Sequence, residues 1–264
     1  HVLRWDRAAL FARDHETLSA TAWRRFRALV VRRARAEPVS YLIGTREFAG
    51  IAFRVDRRVL IPRPDTEILV EIAIKRLAPL GCTGRAADVG TGSGAVAISL
   101  TLACPTAVVH GIDIDRGALS VARGNARRLA AGHRLRFHCG DGLPAARSRV
   151  DVVCANLPYV PISTIPSLPP TVRDWEPHSA LAGGPDGLDP YRSLLQATPR
   201  LVRTGGSILM ECDPSQVGAL SELARHSHPG AHICVHRDLA GRERVVEACL
   251  PANASASRPN TSHA

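Results

Sequence analysis

At 264 residues, with 45% hydrophobic side chains, the chain can bury a large core as one main domain plus a small appendage. No apolar run reaches the length of a membrane span, and the segment from His1 to Arg13 lacks the profile of a signal peptide, so a helical membrane span is not expected. The net charge of +10 invites a polyanion partner, but Lys75 is the single lysine among 34 basic residues. The arginines are spread along the chain, densest between Arg24 and Arg35, which is the mark of a compositional bias more than of a binding groove. Direct nucleic-acid binding is therefore not expected, and an acidic protein partner or ribosome-associated work stays open. Seven cysteines (Cys82, Cys104, Cys139, Cys154, Cys212, Cys234, Cys249) are scattered, odd in number and never spaced Cys-x-x-Cys; the eleven histidines show no ligand spacing. A disulfide framework and a metal site are not expected, and reduced thiols point to the cytoplasm. The missing initiator Met suggests a trimmed or partial start.

In chain order, residues 1 to about 40 are predicted helical, because Leu10, Phe11, Leu18, Trp23, Phe26, Leu29 and Val30 recur at three- and four-residue spacings. Pro38 is expected to end that region, which is too short for a rich core and should lean on its neighbour. Residues 48–55, around Gly50, read as a small hairpin. The run Ile61-Pro62-Arg63-Pro64-Asp65-Thr66-Glu67 reads as a stiff link into a helix capped by Asp65 or Thr66, with Ile68, Leu69 and Ile72 facing inward. From residue 85 strands and helices alternate, the signature of a parallel sheet. Strands are predicted at 86–89, 107–113, 135–139, 150–155, 207–212, 233–236 and 244–247, and helices at about 94–103, 116–130, 190–203 and 214–226. Residues 160–189 carry six prolines, with Pro190 just beyond, and read as a loop-rich insertion shaping a substrate site. The tail after Pro251 is expected to be disordered.

Two stretches carry chemistry. Asp88-Val89-Gly90-Thr91-Gly92-Ser93-Gly94 follows the first strand and opens a helix, where glycines allow a tight turn and close approach to a ligand. Asp113 ends the next strand at the distance expected of a ribose acceptor, and Asp141-Gly142 follows the third strand, within reach of an adenine. Because Gly90, Gly92 and Ala95 also fit a dinucleotide loop, a nicotinamide oxidoreductase competes, and so does a plain strand-helix turn. The second stretch is Asn156-Leu157-Pro158-Tyr159, at the end of a buried strand. Pro158 cannot donate to a ladder and holds Leu157 extended. The Asn156 side-chain oxygen and the Leu157 carbonyl are then free to accept both N–H bonds of a planar NH2 group, with Tyr159 against its flat face. Read blandly, the tetrapeptide is a strand-ending turn.

These residues, with Tyr41-Leu42-Ile43-Gly44, Arg46-Glu47-Phe48, Glu176-Pro177 and the glycine-rich run from Ala182 to Leu188, resemble the HemK/PrmC enzymes over about residues 20–249. Those are S-adenosylmethionine-dependent glutamine N5-methyltransferases acting on the Gly-Gly-Gln loop of class I peptide chain release factors. The marker is Pro62-Arg63-Pro64-Asp65-Thr66-Glu67, sharper than the glycine loop, which most Rossmann-type methyltransferases share.

The resemblance implies an α/β, Rossmann-like class I methyltransferase fold with a mostly parallel seven-stranded sheet. It implies a helical docking domain over 1–44, shorter than the family's, a linker hairpin over 45–62, the methyltransferase domain over 63–250 and a tail over 251–264. Gly90, Thr91, Gly92, Ser93, Gly94, Asp113, Asp141, Gly142 and Asn156 are expected to hold S-adenosylmethionine. Asn156, Leu157, Pro158 and Tyr159 are expected to hold the glutamine and carry the chemistry. Leu157 stands where the family usually has proline, but the role implied for it uses only the backbone carbonyl. Arg63, Asp65 and Glu67 are divided between tying the linker to the domain and lining the site. The expected partner is a class I release factor, met by a monomer. The rivals are an adenine-N6 methyltransferase on nucleic acid, the nicotinamide enzyme and a non-catalytic ribosome-binding adaptor.

Overall fold

The structure is a computed structural model that describes residues 1–141 and 149–252. The expectations for Gly142 and for the tail beyond Ala252 lie outside those residues. Three helices open the chain: α1 (Arg7–Ala12), α2 (Ala20–Ala34) and α3 (Val39–Ile43). Asp6 and Ser19 cap the first two by accepting from Ala9 N and Ala22 N. Contrary to expectation, α1 and α2 bury no residue; Phe11, Trp23, Phe26 and Val30 face solvent because the fold sets no apolar face against them. Nor does Pro38 end a helix. The chain leaves α2 at Ala34, and Pro38 opens α3.

A hairpin of β1 (Thr45–Phe48) and β2 (Ile51–Arg54) turns at Ala49-Gly50, whose φ values of 48° and 72° match the twist of a two-residue hairpin loop. Its Phe48 and Phe53 are fully buried and meet edge-to-face at 6.1 Å. The linker then runs into a 3-10 turn (Pro64–Thr66) and α4 (Glu67–Leu77).

The main sheet contains β3 (Arg85–Val89), β4 (Val108–Asp113), β5 (Leu135–Cys139), β6 (Val150–Ala155), β7 (Val202–Glu211), β8 (His232–Arg237) and β9 (Glu243–Cys249). Their order across the sheet is β5-β4-β3-β6-β7-β9-β8. The first five strands in that order are parallel, and β9 pairs antiparallel with both β7 and β8. Between them lie α5 (Ala95–Ala103), α6 (Arg116–Arg128), α7 (Pro170–Arg173), α8 (Asp189–Ala197) and α9 (Val217–Ser227).

Successive residues of a strand point to opposite faces, and both faces are covered. Ala87, Val89, Val153 and Ala155 pack with Tyr191, Leu194 and Leu195 of α8 and Leu220 of α9. Ala86, Val152 and Cys154 pack with α4, α5 and the hairpin phenylalanines. The near-continuous apolar runs of β3 and β6 are thus required by burial on two sides. Order reverses at β3, which sits between β4 and β6, so their three carboxyl ends lie side by side. That switch point is where open α/β sheets bind ligands. Among the described residues, no helix is long and apolar enough to cross a membrane.

Candidate active site

The register sets the carboxyl ends of β4, β3 and β6 level, because Val89 pairs with both Ile112 and Ala155. Gly90, Asp113 and Asn156 therefore leave the sheet together. Gly90 has φ +75°, and a Cβ there would stand 3.0 Å from Leu157 Cδ2, so the glycine is needed both for the turn and for the close approach of Leu157. Gly90 N and Thr91 N both donate to the Ile112 carbonyl at 2.9 Å, fastening the loop to β4. Gly94 lies apart from the cavity wall. A Cβ there would meet Ala122 and Ile98, so this glycine lets α5 pack against α6.

Two acids shape the loop, Asp88 buried and Asp113 partly buried. Asp88 accepts from Thr91 Oγ1 at 2.6 Å and from Ala97 N at 3.1 Å. Burial pushes its carboxyl up to about 6 against the pull of those hydrogen bonds. Asp113 accepts from Gly92 N and Asp115 N, each at 2.9 Å, one per carboxylate oxygen. Each oxygen keeps a further acceptor site for a hydroxyl. Burial raises the Asp113 carboxyl too, opposed by its backbone donors. Buried Asn125 of α6 ties the loop to the hairpin, donating to Ser93 O and Arg54 O and accepting from Arg54 N.

Two cavities meet at the end of β6. One, of about 410 Å³, is lined by Gly90, Thr91, Gly92, Ser93, Asp113, Asp141, Asn156, Leu157 and Pro158 among others. The other, of about 640 Å³, is lined by Tyr159, the insertion residues Pro161, Thr164, Leu168 and Val172, and Gln216. Asn156, Leu157, Leu60, Arg63 and Ala180 belong to both walls. The first cavity suits a ligand that carries hydroxyls, a cationic group and a carboxylate: its carboxylates answer the first two and the N-terminus of α5 the third. The second reaches the surface beneath the insertion, whose backbone forms only short turns (Ile162–Ser167, His178–Ala180) and α7.

At the shared wall, Asn156 Nδ2 donates to Thr66 Oγ1 at 3.0 Å, which leaves Oδ1 as its open end. Leu157 N donates to the buried Tyr191 hydroxyl at 3.2 Å. That hydroxyl lies 3.3 Å from Leu157 O but closer to the Glu211 carbonyl, and it has one proton to give. With the proton on Glu211 O, the Leu157 carbonyl keeps its acceptor capacity. Tyr159 is partly buried; burial, helped by the nearby Glu211 charge, pushes its hydroxyl up to about 12, and its carbonyl accepts from Gln216 Nε2.

The linker motif resolves into ties. Neither Asp65 nor Thr66 caps α4 with its side chain; the helix starts through the 3-10 turn at Pro64. Arg63 pairs with buried Glu176 at 2.5 Å, and Glu176 also accepts from Ile61 N. Asp65 pairs with Arg242 and Arg244, and Glu67 accepts from Ala49 N. Thr66, Glu176, Tyr191, Glu211 and Gln216 hold the site, yet their partners are far off in sequence. The only advance signal was the motif containing Thr66 and that containing Glu176. Away from the site, Cys234, Glu247 and Cys249 bring ligand atoms within 4.8 Å across β8 and β9. Arg76 and His236 already hold that carboxylate, at 2.7 and 2.9 Å.

Comparison with known proteins agrees with this architecture. Residues 1–44 match the PrmC N-terminal domain, and residues 86–174 match a methyltransferase domain. The ribosomal protein L11 methylase of Lactobacillus delbrueckii subsp. bulgaricus, 17% identical, shares the fold with a TM-score of 0.52 over 75% of this chain and 85% of its own. The release factor glutamine methyltransferase of Moorella thermoacetica is 44% identical over 240 residues, 90% of this chain and 84% of that protein. That of Cereibacter sphaeroides is 39% identical over 96% of this chain and 88% of its own. Likeness at that level along nearly the whole length makes this chain a member of the release factor glutamine methyltransferase family.

Proposed function

We propose that the chain transfers a methyl group from S-adenosylmethionine to the side-chain nitrogen of the glutamine in the Gly-Gly-Gln motif of a class I peptide chain release factor. One observation carries the reading: Asn156 and Leu157 form the wall common to two cavities, one suited to the donor and one open to a protein loop. When bound, S-adenosylmethionine supplies an electrophilic methyl carbon on a positively charged sulfur. Gly90, Thr91, Gly92 and Ser93 would cradle it, Asp113 would accept from its ribose, and Asp141 would sit near its adenine.

Asn156 Oδ1 and Leu157 O accept the two N–H bonds of the glutamine amide, and Tyr159 packs along its plane. Pinning both hydrogens leaves the nitrogen a single open direction, toward the cofactor cavity. Orientation of this kind supplies roughly 7–11 kcal/mol of a barrier. A neutral Asn suits the site. The donor loses positive charge as the methyl leaves, so a carboxylate at that position would stabilise the reactants more than the transition state. Pro158 contributes by keeping the chain out of a ladder, which is why Leu157 can replace a proline there without loss of the carbonyl. The glycine loop then serves a sulfonium donor and not a nicotinamide.

We assign 1–44 to docking of the release factor, whose loop reaches the site from the insertion side, and 63–250 to catalysis. With that substrate the enzyme works in the cytoplasm as a monomer. The test is a methyl-transfer assay with purified release factor and with RNA and DNA in parallel. Labelled methyl is expected on the Gly-Gly-Gln glutamine, located by mass mapping. Label on nucleic acid and none on the release factor would overturn the assignment.

A further inference from the structure

We propose that Tyr191 is a positioning residue for methyl transfer: its hydroxyl holds the Leu157 N–H and thereby aims the Leu157 carbonyl at the glutamine. The inference rests on the role given above to that carbonyl. Strand β6 ends at Ala155, level with Met210, while β7 runs on to Glu211. Leu157 has therefore left the ladder, yet it is buried and still carries a backbone N–H, which a proline there would lack. Among the described residues the acceptor of that N–H is the Tyr191 hydroxyl, at 3.2 Å. A buried N–H without a partner is costly, so this is a contact the fold must make.

The contacts fix which way each group points. Tyr191 is fully buried on α8, and burial pushes its hydroxyl well above the ordinary 10, so the proton stays on. A hydroxyl has one proton to give. The Glu211 carbonyl lies nearer to it than Leu157 O does, and accepts it. The hydroxyl oxygen is then an acceptor toward Leu157 N, and the side chain stands in for a rung between the two strand ends. Pro158 keeps Leu157 extended. With its nitrogen held and its ψ restricted, Leu157 can aim its carbonyl in one direction only, and that carbonyl is left free of the Tyr191 proton. Without the hydroxyl, the orphaned N–H must turn toward another partner and the carbonyl turns with it.

The experiment measures what Tyr191→Phe does to kcat in three backgrounds of the full chain, with purified release factor: native, Leu157→Ala and Leu157→Pro. Each loss is taken against the same background with Tyr191 in place, so the effect of the Leu157 change itself drops out. In the native background kcat is expected to fall about tenfold, the scale of one orphaned buried donor. KM for the release factor and S-adenosylhomocysteine affinity should stay within about twofold, since Tyr191 lines neither cavity. Leu157→Ala shortens the side chain but keeps the N–H, so a loss of about tenfold is expected again. Leu157→Pro has no N–H to orphan, and there Tyr191→Phe should cost less than about threefold. A role in packing alone would give the same loss in all three.

Unchanged kcat in Tyr191→Phe, or the same loss in Leu157→Pro as in the native background, overturns the proposal. Should a variant not fold or not turn over, amide exchange at Leu157 in the native protein decides. It is expected to be at least about a hundredfold slower than at exposed loop amides, and exchange at the loop rate overturns the proposal. Near-normal kcat in Asn156→Ala would instead remove the clamp on which the inference depends, so the two failures are distinct.

Discussion

The carboxyl edge of the sheet and the N-terminal helices use the same kinds of residue to opposite ends. At the edge, polar groups are buried and wired: Asp88, Asn125, Glu176 and Glu211 are each less than 5% exposed. In α1 and α2 it is the apolar groups that are left in water, with Trp23 at 49% and Phe11 at 71% exposure. The first region spends stability on buried polar groups to hold one geometry. The second keeps an apolar surface that contributes little to this fold, as a surface meant for another protein does. Helical periodicity is present in both, so periodicity tells of helix and not of burial.

Substitutions at the edge should therefore be costly and those in α1 and α2 cheap. The largest effect on integrity is expected from Gly90→Val, where a β-branched residue at φ +75° would push on Leu157. A loss of about 2–3 kcal/mol in urea unfolding is expected, with S-adenosylhomocysteine affinity down at least tenfold. Native stability in that variant would mean that the loop is not constrained as described.

Next comes Arg63→Met, which strands the buried Glu176 carboxylate on its remaining donor among the described residues, Ile61 N. Breaking a fully buried pair costs about 3–5 kcal/mol, but Arg63 is one-third exposed, so about 2 kcal/mol is expected in the same assay. A change below about 0.5 kcal/mol would demote the pair to a surface contact.

An effect that depends on pH is expected at Glu211. Burial pushes its carboxyl from the ordinary 4.5 up to about 7, against the pull of the nearby Arg244 charge. The stability it contributes as a neutral acid is full below pH 4.5 and is lost as pH rises through about 7. Glu211→Gln should thus melt progressively higher than the native protein as pH is raised across that window. A melting difference that does not vary with pH would mean that the acid is not so buried.

Smallest of all, Trp23→Ala should change stability by no more than about 0.5 kcal/mol. Its consequence should fall on KM for the release factor, with kcat unchanged. A marked loss of stability would erase the contrast between the two regions.

Much of the framework was legible in the sequence because it depends on local pattern. The strands expected at 135–139 and 150–155 are Leu135–Cys139 and Val150–Ala155. β7 begins at Val202, earlier than the expected 207, since Gly205 (φ +76°) and Gly206 imitate a turn while the strand continues through an irregular register. α8 stops at Ala197 because Pro199 follows, and the segment tightens into a 3-10 turn. The positions of Gly90, Asp113 and Asn156 could be inferred from strand ends alone. What joins them could not: Thr66 and Asn156 are 90 residues apart, and Tyr191 reaches Leu157 from another helix. Such contacts exist only once the sheet order is set. One chain carries no local trace of them.

The most direct test of the clamp is a single-turnover measurement on Asn156→Ala, with the release factor saturating and S-adenosylmethionine bound. The account predicts methyl transfer to the glutamine slowed by about 10²–10³-fold, the scale of losing one preorganised polar contact to the reacting group, with most of the cofactor affinity kept. Transfer at close to the native rate would contradict it.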